Sequence, residues 1–349
     1  MNLDKYPLVS MCMSAYNHEN YVQEAIQSVI DQDYKNIELI IINDGSSDST
    51  HERIESLKFK CENRFIRFVY INRFNKGLTP TLNDLLRISK GKYFMCIASD
   101  DTQVKNRVST LVNFMQNTNY FGCYSAYRDI DIYGNVIAEF KGNNHELDFV
   151  TILLRMFEVG YISFIFQKDI FLSIGGFNEN VIVEDWELVL RITHLGLKVY
   201  FISQILYNHR LHNTNITFNS KLMSDEIFKI LGFYKNHYLY EKSLFHLKVK
   251  YKLFTQVEIE KFKKFVNLKI QEKNLLNKNY KYLIYGQGTF GEIIRVVIKE
   301  QFVGFIDKET KKINFEFDYI IISVLAREEP IKIHLINKFN INNSKLICL

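Results

Sequence analysis

Three short stretches carry residue types and spacings suited to chemistry: Asp100-Asp101, Glu184-Asp185, and Arg210 with His212. The first pair follows Lys92-Tyr93-Phe94-Met95-Cys96-Ile97-Ala98-Ser99, which reads as a buried strand running into a turn. Two carboxylates at a strand end can hold a hard divalent cation, which takes oxygen ligands, or a ligand hydroxyl. Aspartate is also an ordinary turn residue, because its side chain hydrogen-bonds the backbone two residues on. The second pair opens a helix that reads through residues 188–194, where acids are favoured by the macrodipole alone. Arg210 and His212 alternate on an extended segment, so both face the same side. None of the three is decisive in isolation, and the elements around them have to decide.

Residues 8–17, 37–43 and 66–71 read as further strands, and the helical pattern recurs between them. Apolar residues at 22, 25, 26, 29 and 30 place a helix over 21–31. Ser46 to Thr50 offer caps for a helix carrying Ile54 and Leu57, and a third helix spans about 81–89. Strand, helix, strand, helix, strand, helix, strand is the order of a doubly wound sheet, and the unbroken isoleucines of 40–42 suit a strand buried on both faces. Tyr16, Asn17, Asp44, Lys76, Asp100 and Asp101 all fall just after strand ends, so they gather along one edge, where such sheets bind ligands. A tyrosine, a lysine and three acids on one edge form the composition expected of a site for a nucleotide diphosphate and its metal.

The chain has 349 residues, 47% hydrophobic and 14% aromatic, which implies a sizeable core and more than one domain. No apolar run approaches the ~20 residues of a membrane span. The five cysteines lack metal-ligand spacing, and the first residues lack a signal-peptide layout, so a cytoplasmic location is expected. The formal charge of +5 is uneven: residues 221–281 carry 14 lysines against six acids. A solvated helical face accounts for such a stretch, and so does peripheral contact with the anionic inner face of a membrane.

The first hundred residues resemble the nucleotide-binding half of glycosyltransferase family 2, enzymes of the GT-A fold. The likeness rests on Pro7-Leu8-Val9-Ser10 with Tyr16-Asn17, on Gln32, on Glu38 to Asp48, on Asn75-Lys76-Gly77, and on Lys90-Gly91-Lys92-Tyr93 leading to Ser99-Asp100-Asp101. It implies a mixed GT-A sheet flanked by helices over residues 1–219, and an inverting enzyme that moves one sugar from a nucleotide-sugar, UDP-hexose or UDP-N-acetylhexosamine, to a hydroxyl of a surface-polysaccharide or lipid-linked acceptor. It also implies roles. Ser14, Tyr16 and Asp44 surround the base, Asn17 belongs to the nucleotide site, Lys76 lies near base or phosphates, Asp100 contacts ribose or metal, and Asp101 with His212 holds manganese or magnesium. Gly176, Phe177, Glu184, Trp186 and Arg210 lie on the acceptor or diphosphate side, with Asp185 as the catalytic base. The chain departs from the family at Ala98, where many members carry a further acid, and at His209, where tyrosine is usual.

The remainder divides into a basic helical linker, 220–280, and a small Rossmann-like module, 281–349. The module opens with a strand feeding Gly286-Gln287-Gly288-Thr289-Phe290-Gly291, a turn that can put a phosphate on a helix N-terminus, with Asp307 after the next strand. About seventy residues are too few for a full dinucleotide fold, so docking or dimerisation is the plainer expectation, and no nucleic-acid partner is expected. Two competing readings are a catalytically silent scaffold of the same fold, which would show no metal-dependent thermal shift with UDP, and an oxidoreductase built on the final module, which would bind a nicotinamide cofactor.

Overall fold

In the computed structural model of the chain, residues 6–154, 163–213, 215, 220–250, 257, 260–261, 264, 268, 280–286, 291, 294–295, 298, 301–307, 309–323 and 328–348 are described. The chain divides into two compact units, Met1–Phe233 and Tyr234–Leu349.

In the first unit the expected strands form as β1 (Val9–Ala15), β2 (Ile37–Asp44), β3 (Arg67–Arg73) and β4 (Tyr93–Ala98). Every residue of β2 is buried, as its Ile-rich sequence requires, because β1 and β3 flank it in parallel and helices cover its faces. The helices are α1 (Val22–Ile30), α2 (Thr50–Glu55), α3 (Lys58–Arg64) and α4 (Leu78–Ile88). The stretch expected as one helix through Ile54 and Leu57 is broken at Leu57 into α2 and α3. α1 buries Val22, Ala25, Ile26, Val29 and Ile30, the residues whose spacing places it.

Beyond β4 come β5 (Thr102–Gln103), α5 (Arg107–Gln116), β6 (Gly122–Ile130), β7 (Val136–Phe140), β8 (His145–Glu146), α6 (Phe149–Leu153), β9 (Phe164–Gln167), α7 (Lys168–Ser173), α8 (Glu184–His194), β10 (Val199–Arg210) and α9 (Ser220–Gly232). The sheet order is β3-β2-β1-β4-β9-β6-β10-β5, with β7 beside β6 and β8 beside β10. β9 runs antiparallel to both β4 and β6, so the sheet is mixed. The register that pairs Ser14 with Ile42 and with Ala98 brings the ends of β1, β2 and β4 to one line. Opposite them, the parallel pair of β10 and β6 carries Arg210 to the same side.

The second unit contains α10 (Tyr240–Lys250) and a four-stranded parallel sheet, β11 (Tyr282–Tyr285), β12 (Phe302–Ile306), β13 (Tyr319–Ile322) and β14 (Leu346–Cys348), in the order β12-β11-β13-β14. Leu283, Ile320, Ile322, Ile331 and Leu335 form its core with the helix Glu328–Phe339. Gly286 ends β11 with a φ of +100°, and a Cβ on Gly291 would fall 2.0 Å from the Gly286 carbonyl, so the chain folds back on itself where only glycine fits. Residues 287–290 of the glycine-rich turn, Gly288 included, lie outside the described residues, as do Ile162, Thr214, residues 216–219 and most of the lysine-rich stretch 251–279. The Asp307 carboxylate closes its own turn by accepting from the backbone of Glu309 and Thr310. Among the described residues no helix is long and apolar enough to cross a membrane.

Candidate active site

At the end of β1, Asn17 takes a left-handed conformation, φ +53°, which asparagine tolerates better than most residues. Its amide oxygen accepts from the backbone N–H of Ser47 at 2.8 Å, while the Ser46 hydroxyl accepts from its own N–H at 2.9 Å. The Ser46–Thr50 stretch therefore ties down the turn after β1 as well as starting α2, since Thr50 Oγ1 accepts from the His18 N–H. Tyr16 is half exposed, and Ser14 is partly buried near the end of β1.

Asp44, at the end of β2, is buried and accepts from the backbone of Lys76 and Gly77 and from Arg73 Nε at 3.0 Å. Its carboxylate thus shapes the loop that presents Lys76, whose own ammonium is exposed and 3.5 Å from Asp84. Arg73 was not foreseen from sequence. The β2–β3 register places it opposite Asp44, a pairing that strand-end spacing alone does not reveal.

The adjacent acids after β4 face different neighbours. Asp100 Oδ2 lies 2.9 Å from His212 Nε2 and 3.6 Å from His18 Nε2, and these three donor atoms sit within 4.8 Å of one another. Tyr21 stacks on His212 at 5.1 Å, and His18 Nδ1 is 2.8 Å from the Ser99 hydroxyl. Burial would raise Asp100, but the hydrogen bond from His212 and the two imidazoles hold its carboxyl below the ordinary range. Asp101 turns inward: it accepts from the Tyr207 phenol at 2.7 Å and from the Arg210 N–H at 2.7 Å. Burial and the charge of Asp100 push Asp101 up to about 7.

Arg210 is fully buried, donating to the Asp100 carbonyl and to Glu24 and lying 5.2 Å over the Tyr21 ring. It clamps the turn that carries the acids. His209 Nδ1 lies 2.9 Å from the Asp129 carboxylate.

On the far side, Phe177 is buried among Phe94, Phe164 and Phe171. Asn83 holds this loop at both backbone atoms of Phe177, 2.9 Å each, and Arg191 donates to the Gly176 carbonyl at 2.6 Å. Gly176 has φ +66°, and a Cβ there would fall 2.6 Å from the Asn83 side-chain oxygen, so glycine is required. Trp186 is buried and donates to the Ile152 carbonyl, serving the packing of α8. Glu184 and Asp185 sit in the first turn of α8, half-buried. Burial and the neighbouring charge of Asp185 push Glu184 up to about 8. The buried Tyr124 phenol on β6, whose hydroxyl has no hydrogen-bond partner among the described residues, feels the charge of Asp185.

The chemistry this permits is clear. A carboxylate with two imidazoles beside it can bind a divalent cation, and a carboxylate in the first turn of a helix can accept a proton from a hydroxyl.

Comparison with known proteins agrees with this geometry. Residues 10–171 match the profile of "Glycosyl transferase family 2". The chain spans only about a third of the length of the first curated relatives it matches, uncharacterised glycosyltransferases of Rickettsia and Haemophilus, where the match covers 30% to 39% of the relative. It is 28% identical over 244 residues, 66% of this chain and 89% of the relative, to the Escherichia coli UDP-Glc:alpha-D-GlcNAc-diphosphoundecaprenol beta-1,3-glucosyltransferase WfaP. Staphylococcus aureus TarS residues 1–349, solved with UDP-GlcNAc, superpose with a TM-score of 0.54 at 16% identity over 78% of this chain and 82% of TarS. The mannosyltransferase PcManGT of Pyrobaculum calidifontis, solved with GDP-Man and Mn2+, superposes at 0.52 with 13% identity over 65% of this chain and 63% of that one. At such identities the two structures speak for the fold, which is the GT-A fold the sequence led us to expect. Residues 10–171 therefore carry the features of glycosyltransferase family 2, on a GT-A fold.

Proposed function

We propose that the chain transfers a single sugar, with inversion, from a UDP-hexose or UDP-N-acetylhexosamine to a hydroxyl of a lipid-linked or surface-polysaccharide acceptor. The observation that carries this reading is the Asp100–His212 pair set at the same sheet edge as Tyr16 and Asp44. A nucleoside fits against the Tyr16 ring and the polar rim at Asp44, and the diphosphate then runs toward Asp100. The names of WfaP and TarS support a UDP-sugar donor, and that of WfaP supports a diphospholipid-linked acceptor.

The donor set at Asp100 fits a divalent ion, which PcManGT also binds. Asp100 and His212 would hold it, and once bound it would neutralise charge on the departing nucleoside diphosphate. This reverses the division of labour expected from sequence, in which Asp101 held the metal. Asp101 instead positions, joining the β4 turn to Tyr207 and to Arg210 of β10. Asp185 takes the proton of the acceptor hydroxyl as its oxygen bonds to the anomeric carbon and the bond to the diphosphate breaks. Beside it, burial and the charge of Asp185 raise the Glu184 carboxyl.

A screen of UDP-sugars for Mn2+-dependent hydrolysis tests the proposal. One or two hexose donors should be turned over by the wild type and none by Asp100→Asn. Hydrolysis that ignores both the cation and Asp100 would overturn it.

A further inference from the structure

His18 stands beside the Asp100–His212 pair and is held as firmly as either. Its backbone N–H donates to Thr50 Oγ1 at 2.8 Å, and its Nδ1 is 2.8 Å from the Ser99 hydroxyl. That second contact occupies one ring nitrogen and leaves Nε2 directed at Asp100 Oδ2, 3.6 Å away. The His18 and His212 rings meet edge to face, 5.5 Å between centroids and 78° between planes, so both present nitrogen toward the same oxygen. Ligand atoms on one octahedral ion, with bonds of about 2.1 Å, lie about 3 Å apart when adjacent and about 4.2 Å when opposite. The three donors here, all within 4.8 Å, need close by only a fraction of an ångström to share an ion.

We propose that His18 is a ligand of the divalent cation, and that the resulting set of two imidazoles and one carboxylate selects a first-row transition ion such as Mn2+ over Mg2+. The inference rests on the proposed cation site at Asp100 and His212, and adds to it a ligand and a preference. Magnesium favours oxygen ligands and keeps its waters, whereas imidazole nitrogen suits the transition ions. One carboxylate and two neutral imidazoles leave such an ion a net positive charge to offer a diphosphate. The Ser99 hydroxyl plays the orienting part that hydrogen-bond partners of metal-bound histidines play elsewhere.

The test is Mn2+ binding to the full chain with UDP present, followed by electron paramagnetic resonance, with nitrogen couplings counted by electron spin echo modulation. Wild type should show two imidazole nitrogens, and His18→Ala and His212→Ala one each. His18→Ala should lose about 10- to 100-fold in Mn2+ affinity and far less in Mg2+ affinity. Its thermal melting transition reports whether it folds. Should it fail to fold, Ser99→Ala serves in its place and should weaken Mn2+ binding while both nitrogens persist. Two nitrogens and undiminished Mn2+ affinity in folded His18→Ala would overturn the assignment of His18, as would undiminished affinity in Ser99→Ala, and equal wild-type affinities for Mn2+ and Mg2+ would overturn the preference. If Asp100→Asn and His212→Ala also bind Mn2+ like wild type, the cation site itself falls, a failure distinct from that of His18 alone.

Discussion

His212 and Asp100 are 112 positions apart in the chain and 2.9 Å apart in the fold. The contact joins the segment after β10 to the turn after β4, closing the sheet edge around the place proposed for the diphosphate. Asp100→Asn and His212→Ala should each weaken UDP binding in the presence of Mn2+ by about 100-fold or more, and change it little in the presence of chelator. Isothermal titration with and without the cation checks this. Equal losses in both conditions would mean that the pair contacts nucleotide directly.

Tyr207→Phe removes the phenol that donates to Asp101 at 2.7 Å. A lost hydrogen bond to a buried carboxylate costs about 1–3 kcal/mol, so urea unfolding should shift by that amount. Mn2+ affinity should fall less than in Asp100→Asn if, as proposed, Asp101 supports the turn through Tyr207 and Arg210 while Asp100 holds the ion. A loss as deep as that of Asp100→Asn would return the metal to Asp101.

Glu184 gives a pH signature. Its carboxyl is pushed up to about 8 by burial and by Asp185, against about 4.3 in the unfolded chain. Between those values the folded protein binds more protons than the unfolded one, so this residue lowers stability as pH climbs through that window, and the full cost is present above it. Glu184→Gln removes the effect. Its melting temperature should exceed wild type at pH 8.5 to 9 and converge with it near pH 4 to 5. Parallel profiles across the range would contradict the assignment.

Glu38 anchors the sheet away from the ligand. Fully buried, it accepts from Ser10 Oγ at 2.5 Å, from the backbone of Lys90 and Gly91, and from Arg67 at 2.6 Å. Glu38→Ala leaves these donors without their partner and should cost about 3–5 kcal/mol in urea unfolding. A cost under about 1 kcal/mol would mean that water replaces the carboxylate.

Much of this was legible in the sequence, because the first hundred residues carry local signals. β2 is read from consecutive isoleucines, α1 from its apolar spacing, and the shared sheet edge of Tyr16, Asp44 and Asp100 from polar residues that follow strand ends. The long-range terms were not legible. Which of the two adjacent acids meets His212 depends on the Asp101 N–H reaching the Ala98 carbonyl and on Tyr207 and Arg210 arriving from β10. No spacing within the turn encodes that. The pairing of Arg73 with Asp44 needed the β2–β3 register, and His18 could have been noticed only as a metal-binding residue type next to Asn17. Phe177 and Trp186 drew attention through the Gly-Gly-Phe and Glu-Asp-Trp stretches, and both side chains are packed in the interior. Aromatic residues next to chemistry look alike in sequence whether they line a pocket or hold it up.

In the proposed reaction Asp185 takes the acceptor proton while the β1, β2 and β4 edge holds the donor. The most direct measurement compares wild type and Asp185→Asn for UDP affinity with Mn2+ and for turnover of the preferred UDP-sugar. The account predicts nearly equal UDP affinity and turnover lowered by about 100-fold or more. Asp185→Asn turning over donor at the wild-type rate, or a wild type that binds no UDP in the presence of Mn2+, would contradict it.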